Sequence, residues 1–166
     1  IRRQRQMCIR DSASTPQDFV RLGEAGLIPY IRTIGLYKAK AKHVIETCRQ
    51  LIERFGGNVP ARFNDLVTLP GVGAKTANVV LNVAFHQPTI AVDTHIFRVA
   101  NRTGLAPAKT PDAVSEKLLK VTPKEFLLNA HHWLLLHGRY CCTARKPHCT
   151  ECPIAAFCEY PDKILD

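Results

Sequence analysis

The stretch Leu69-Pro70-Gly71-Val72-Gly73, running directly into Ala74-Lys75-Thr76, decides how this chain is read. Two glycines two apart let the backbone turn sharply, and the helix that follows points its unpaired N–H groups outward, where they can hold a phosphate. Lys75 falls in the first turn of that helix. The positive end of the helix dipole disfavours an ammonium there, which is the setting for a nucleophilic amine beside a bound polyanion. Alone, such a turn is only a bend and such a lysine only a solvated charge or phosphate contact. Asp93 follows in Val92-Asp93-Thr94-His95, and four cysteines crowd the end of the chain.

Outward from the turn, helix signals dominate and strand alternation is nearly absent, so the fold class is all-α. Thr15-Pro16 gives an N-cap with proline in the first helical position, and Phe19, Val20 and Leu22 predict a short helix ending at Gly23. Ala41, Val44, Ile45, Cys48, Leu51, Ile52 and Phe55 recur at spacings of three and four up to Gly56-Gly57, the clearest amphipathic helix in the chain. Between these two helices, Thr33-Ile34-Gly35-Leu36-Tyr37 is a turn that offers apolar side chains to solvent or to the long helix. Past the hairpin, Ala77, Val80, Leu81 and Ala84 form a buried stripe that stops before Pro88. Thr110-Pro111 opens another helix. Thr122-Pro123-Lys124-Glu125 has capping-box spacing, with Phe126, Leu127, Ala130, Trp133, Leu134 and His137 predicted along one face after it. A domain boundary is expected near Gln87-Pro88.

The composition fits a folded protein, and its basic charge alone does not name the partner. At 166 residues, 46% hydrophobic and 22% charged, the chain can bury a core, and a net charge of +9 favours a polyanionic partner. No run of about 18 apolar residues spans a membrane, and no apolar segment of the signal-peptide kind suggests export. Seven cysteines with four inside Cys142–Cys158 read as metal in a reducing compartment rather than as a disulfide scaffold. Cys142, Cys149, Cys152 and Cys158 are spaced C-x6-C-x2-C-x5-C, which suits four thiolates on an iron-sulfur cluster or on a tetrahedral zinc. Cys141 falls outside the spacing and reads as a spectator. Asp93 has two readings from its neighbours: an N-cap for the helix opening at Thr94, or a carboxylate that stabilises positive charge and moves protons next to Lys75.

These residues together resemble the endonuclease III family, bifunctional DNA glycosylases and AP lyases of the helix-hairpin-helix glycosylase superfamily. The resemblance runs from about Ala13 to the C-terminus and is closest in Thr33–Tyr37, Leu69–Asn82 and Thr89–Arg102. It implies a helix-hairpin-helix glycosylase fold, with a partial six-helix barrel lobe at 13–87 and a [4Fe-4S] cluster lobe at 88–166. The activity implied is base-excision repair: removal of oxidised pyrimidines from duplex DNA, then β-elimination at the abasic site through a lysine Schiff base. Carried onto this chain, Lys75 is the nucleophile, with cations such as Arg98 or Arg102 expected near it, and Asp93 is the assisting carboxylate. Cys142, Cys149, Cys152 and Cys158 hold the cluster. Leu36 wedges into the duplex beside the extruded base, while Gly71, Val72, Gly73, Thr76, Arg145 and Lys146 contact DNA. Ala74 stands where some relatives carry arginine. The implied protein is a cytoplasmic, bacterial monomer that works at the nucleoid. Two other readings remain: an adenine-specific relative, which lacks a lysine at this position, and a DNA-binding module with a structural metal and no catalysis.

The start of the chain is unlike the rest. Met7-Cys8-Ile9-Arg10-Asp11-Ser12 matches the in-frame translation of a transposon-type adapter, ATG TGT ATA AGA GAC AG, so residues 1–12 are read as an assembly artefact rather than a basic arm. The remainder is still basic. Family members begin with further helices, so the chain is expected to be an N-terminally truncated form.

Overall fold

The computed structural model describes Ile9 and residues 12–165, so the adapter-like stretch lies, apart from Ile9 and Ser12, outside the described residues. From Pro16 on, the regular elements are helical and no strand occurs among the described residues. They are α1 (Pro16–Ile31), α2 (Tyr37–Phe55), the single turn α3 (Phe63–Leu66), α4 (Ala74–Phe85), α5 (Thr94–Thr103), α6 (Pro111–Val121) and α7 (Leu127–Tyr140). Short 3-10 turns lie at Lys124–Phe126 and Ala155–Phe157. No helix among the described residues is long and apolar enough to cross a membrane.

The chain forms two compact units that divide at Gly73-Ala74. That is upstream of the Gln87-Pro88 boundary expected from sequence, because the hairpin's second helix is tied to the segment Gln87–Thr89 beyond its C-terminus. Asn82 Nδ2 donates to the carbonyls of Gln87 at 3.3 Å and Thr89 at 3.1 Å, and Thr89 Oγ1 donates to Asn78 O at 2.6 Å. Asn82 is buried with Ala77 and Leu81, whereas Ala84, expected in the stripe, is exposed.

In the first unit α1 packs on α2, with Leu27, Ala41 and Ile45 at the centre and Phe19, Leu22, Ile28 and Ile31 around them. Thr15 and Asp18 make a capping box at the start of α1. The first helical stretch breaks at Gly23 as its sequence suggests: Gly23 takes φ 69° and ψ 175°, outside the helical region, and a second helical stretch runs on from there to Ile31. Leu27, Ile28 and Ile31 supply a second apolar face, and burying each such side chain is worth about 1.5–3 kcal/mol, more than the glycine costs. Helix α2 behaves as expected, ending at Gly56 in the left-handed conformation with its N–H bonded to Leu51 O.

The second unit gathers Ile90, Val92, Ile96, Ala100, Ala106, Val114, Leu118, Leu127 and Ala130 into one core. Thr110 caps α6 as predicted, accepting from Ala113 N. Thr122, however, closes α6 instead of capping the next helix, and a 3-10 turn carries the chain into α7, whose start has no side-chain cap. The buried face of α7 is also rotated from the expected one. Leu127, Ala130, His131 and Gly138 face inward, while Phe126 and Trp133 are exposed and pair with each other, ring centroids 6.0 Å apart. Gly138 fixes the rotation: a Cβ there would stand 2.9 Å from His95 O and 3.0 Å from Val99 Cγ2, so only glycine lets α7 lie this close to α5.

Candidate active site and metal centre

Lys75 and Asp93 are brought together. Lys75 is the second residue of α4, and its Nζ lies 3.8 Å from Asp93 Oδ2, with the lysine side chain 57% exposed and the aspartate 11%. The two readings of Asp93 turn out to be compatible because its oxygens divide the work. Oδ1 accepts from the backbone N–H of His95 and of Ile96, both at 2.9 Å, which makes Asp93 the N-cap of α5. Oδ2 is thereby aimed at the lysine. The approach to Asp93, Ile90-Ala91-Val92, has no regular structure and is buried. Its carbonyls are held from two other helices: Ser115 Oγ donates to Ile90 O at 2.7 Å, and His131 Nδ1 donates to Ala91 O at 2.9 Å.

The arginines expected beside Lys75 are engaged elsewhere. Arg98 donates to Cys142 O at 3.0 Å and Gly138 O at 2.6 Å, and Arg102 to Thr143 O at 2.7 Å and Ala144 O at 2.9 Å while lying over the Tyr160 ring. They brace the cysteine region instead of surrounding the amine. His95 Nδ1 lies 3.3 Å from Gly138 O.

The hairpin turn distinguishes its two glycines. Gly71 has φ 74°, and a Cβ on it would meet His43 Nδ1 at 2.8 Å, so backbone and packing both demand glycine. The turn is clamped from α2, where Thr47 Oγ1 donates to Pro70 O at 2.9 Å, and is closed by Val72 N to Leu69 O at 3.1 Å. Gly73 is neither strained nor crowded: nothing lies within 4 Å of its would-be Cβ. Gly73 and Thr76 are exposed and Val72 is half-buried. Leu36 does not pack against the long helix. It is 80% exposed and left-handed at φ 58°, an unusual conformation for leucine, held at the position that opens α2.

In the second unit, Cys142, Cys149, Cys152 and Cys158 line one cavity together with Cys141, His137, His148 and Tyr160. Among the described residues the trio spaced for a single ion is His137, Cys141 and Cys152, within 4.8 Å of one another, and it contains only one of the four cysteines. Four thiols lining one cavity are the donor set that an iron-sulfur cluster requires. Arg102 Nη1 lies 3.7 Å from Cys142 Sγ. Burial pushes the Cys141 thiol up to about 11, with the neighbouring Cys152 sulfur adding to the effect. The loop within the first cysteine interval is pinned by His148 N to Cys141 O at 3.0 Å and by Arg102, and it carries Arg145 and Lys146 exposed.

Two comparisons decide the family. Residues 3–124 match the HhH-GPD superfamily of base excision DNA repair proteins, and residues 142–158 match the iron-sulfur binding domain of endonuclease III. Endonuclease III of Escherichia coli K12 is 59% identical over 152 residues, covering 92% of this chain and 72% of that protein. The chain belongs to the endonuclease III family. The Haemophilus influenzae endonuclease III is likewise 59% identical over 152 residues. Among solved structures, a trapped endonuclease III–DNA covalent intermediate superposes with a TM-score of 0.87 at 40% identity, covering 93% of this chain and 73% of the other. A non-covalent endonuclease III–DNA complex matches equally well, with a TM-score of 0.87 at 39% identity. As an endonuclease III family member with the iron-sulfur domain, the chain is an enzyme whose cofactor is a [4Fe-4S] cluster.

Sequence reasoning missed His131, Ser115 and Asn82. His131 carried a signal, being a titratable residue next to Ala130 on an apolar helix face. Ser115 and Asn82 act through backbone carbonyls distant in sequence, which no local pattern announces.

Proposed function

We propose that this protein is a base-excision repair enzyme that removes oxidised pyrimidines from duplex DNA and cuts the resulting abasic site, with Lys75 as nucleophile and Asp93 as its partner. The single observation that carries the reading is Lys75 Nζ at 3.8 Å from an Asp93 oxygen whose twin is locked by two backbone N–H groups. The 3.8 Å between Lys75 Nζ and Asp93 Oδ2 calls for a bridging water to carry away the proton that Lys75 must lose before it attacks, which leaves Asp93 a carboxylate. The free amine bonds to C1′ of an extruded nucleotide while the N-glycosidic bond breaks and the base leaves with the electron pair. The sugar ring opens to a protonated imine on Nζ. Loss of a C2′ proton expels the 3′ phosphate oxygen, cutting the strand, and water then releases the lysine. Asp93, ionised, balances the positive charge that develops on the sugar.

The DNA contacts follow from the same chemistry. Gly73 needs to be glycine for no reason within its own unit, which suits close approach of a phosphate to the turn. Gly71 and Val72 are further DNA contacts on the first unit, and Thr76 is one on the second. Leu36 is the wedge: an exposed apolar side chain held in a strained backbone is what insertion into a base stack calls for. Cys142, Cys149, Cys152 and Cys158 would hold the [4Fe-4S] cluster. Bound there, the cluster would supply cross-links rather than bond-breaking chemistry, and the loop between Cys142 and Cys149 would present Arg145 and Lys146 to phosphates. The place of work is the bacterial cytoplasm, on the nucleoid.

Borohydride reduction of the holoenzyme with abasic-site duplex tests the reading. Wild-type protein is expected to give a covalent adduct that vanishes in Lys75→Gln; no adduct from wild type refutes it. A DNA-binding module would give none, nor would a glycosylase without lyase activity.

A further inference from the structure

We propose that His131 is a positioning residue for the Lys75–Asp93 pair, acting through the carbonyl of Ala91; this rests on reading that pair as catalytic. Helix α7 touches the segment around Asp93 at two points, seven residues apart on one helix face. His131 Nδ1 donates to Ala91 O at 2.9 Å, and Gly138 admits His95 O so closely that a Cβ would stand 2.9 Å away. Asp93 lies between residues 91 and 95, so one rigid helix sets the chain on both sides of it.

The His131 bond cannot be replaced by water, because His131 is 7% and Ala91 1% exposed. Without its donor, the Ala91 carbonyl would be left unpaired in the core and residues 90–93, which have no regular structure of their own, would have to move to find another. The aspartate has little slack for such movement: 3.8 Å already separates it from the amine. A shift of about 1 Å in a reacting group is enough to slow chemistry by about a hundredfold.

The ring's protonation state is fixed by the same contact. A carbonyl can only accept, so Nδ1 carries the hydrogen and a neutral ring leaves Nε2 as an acceptor. Burial holds the imidazole below its ordinary range and therefore uncharged, and the ring also feels the charges of Asp93, Lys75 and His132. A group that senses both members of the pair and ties down the backbone two residues before one of them is more than core filling.

The test compares His131→Leu, which removes the donor, with His131→Asn, whose amide Nδ2 can reach the position of imidazole Nδ1. The measurements are the single-turnover rate of borohydride-trappable adduct formation at saturating abasic-site duplex, and the Kd for an uncleavable duplex. His131→Leu is expected to slow the rate by about tenfold or more with Kd changed by less than about twofold, and His131→Asn to return it to within about threefold of wild type. Three results would overturn the proposal: a wild-type rate in the leucine variant, a Kd that weakens in step with the rate, or an asparagine variant as slow as the leucine one. If His131→Leu fails to fold by circular dichroism, the asparagine variant decides alone, and a rate below about a third of wild type overturns the proposal. Should wild type itself give no adduct, the catalytic reading falls and takes this one with it. Should wild type and His131→Leu react equally fast, only this inference falls.

Discussion

Replacing Asp93 separates what its two oxygens do. In Asp93→Asn the side-chain carbonyl can still accept from the N–H groups of His95 and Ile96, and asparagine is as good an N-cap as aspartate. What it loses is the ion pair to a lysine that is 57% exposed, worth about 0–1 kcal/mol after solvent screening. In Asp93→Ala both are lost, and the missing cap adds about 1–2 kcal/mol at a helix start that is only 11% exposed. For a chain of this length each kcal/mol moves Tm by about 2–4 °C. Asp93→Ala should therefore melt about 2–12 °C below wild type, and Asp93→Asn within about 4 °C of it. Activity should not follow stability: both variants should lose base release by a hundredfold or more, since neither offers a carboxylate to the sugar (about 10²–10⁴ is usual for such a group). Thermal melts of the holoproteins and single-turnover assays on a duplex with an oxidised pyrimidine supply the numbers. If Asp93→Asn melts as low as Asp93→Ala, the division of labour between the oxygens is wrong. If it retains base release, the carboxylate is only a cap.

The glycines of the hairpin should respond differently to alanine. Gly71→Ala must bear φ 74° and a 2.8 Å approach to His43, costing roughly 1–3 kcal/mol, while Gly73→Ala should melt like wild type yet bind duplex DNA several-fold more weakly, by calorimetry and fluorescence titration respectively. Leu36→Gly relieves a left-handed leucine and should raise stability by about 1 kcal/mol, while lowering turnover on duplex lesions because the exposed wedge is gone; a loss of stability would contradict the strain. Stability should also fall as pH drops below about 6.5. Burial lowers the folded-state value of His131 beneath its ordinary 6.5, against opposing help from the Ala91 bond and Asp93, so the unfolded chain binds more protons in that window and unfolding is favoured. The slope of denaturation midpoints between pH 7 and pH 5 should be shallower in His131→Asn, and an unchanged slope would remove His131 from the explanation.

Much of this was legible in the chain because the signals are local. Proline at the first helical position, glycine after the last turn and apolar residues at spacings of three and four are short-range steric facts, and they placed α2, α6 and the hairpin correctly. The cysteine spacing and the Lys75 and Asp93 motifs are likewise contiguous stretches. The features that escaped depend on partners distant in sequence. Gly23 is a stop, as it reads, but the second helical stretch after it, to Ile31, shows itself only once Leu27 and Ile31 find α2 to pack on. The inward face of α7 is set by Gly138 meeting α5, and that turns Trp133 outward against its apolar character. Arg98 and Arg102 look like neighbours of Lys75 from motif proximity, yet they bond carbonyls at Gly138 and Cys142–Ala144, partners about forty residues away that no local pattern announces.

Cys48 gives the first unit its own reporter. Its thiol is buried in the α1–α2 unit and pushed above the ordinary cysteine range by desolvation, so alkylating reagents should react with it only when that unit opens. Visible absorbance of the iron-sulfur group watches the second unit independently. Mass-spectrometric mapping of Cys48 labelling, read against bleaching of that absorbance along a urea gradient, would show whether the halves of the chain melt as one cooperative body or in succession.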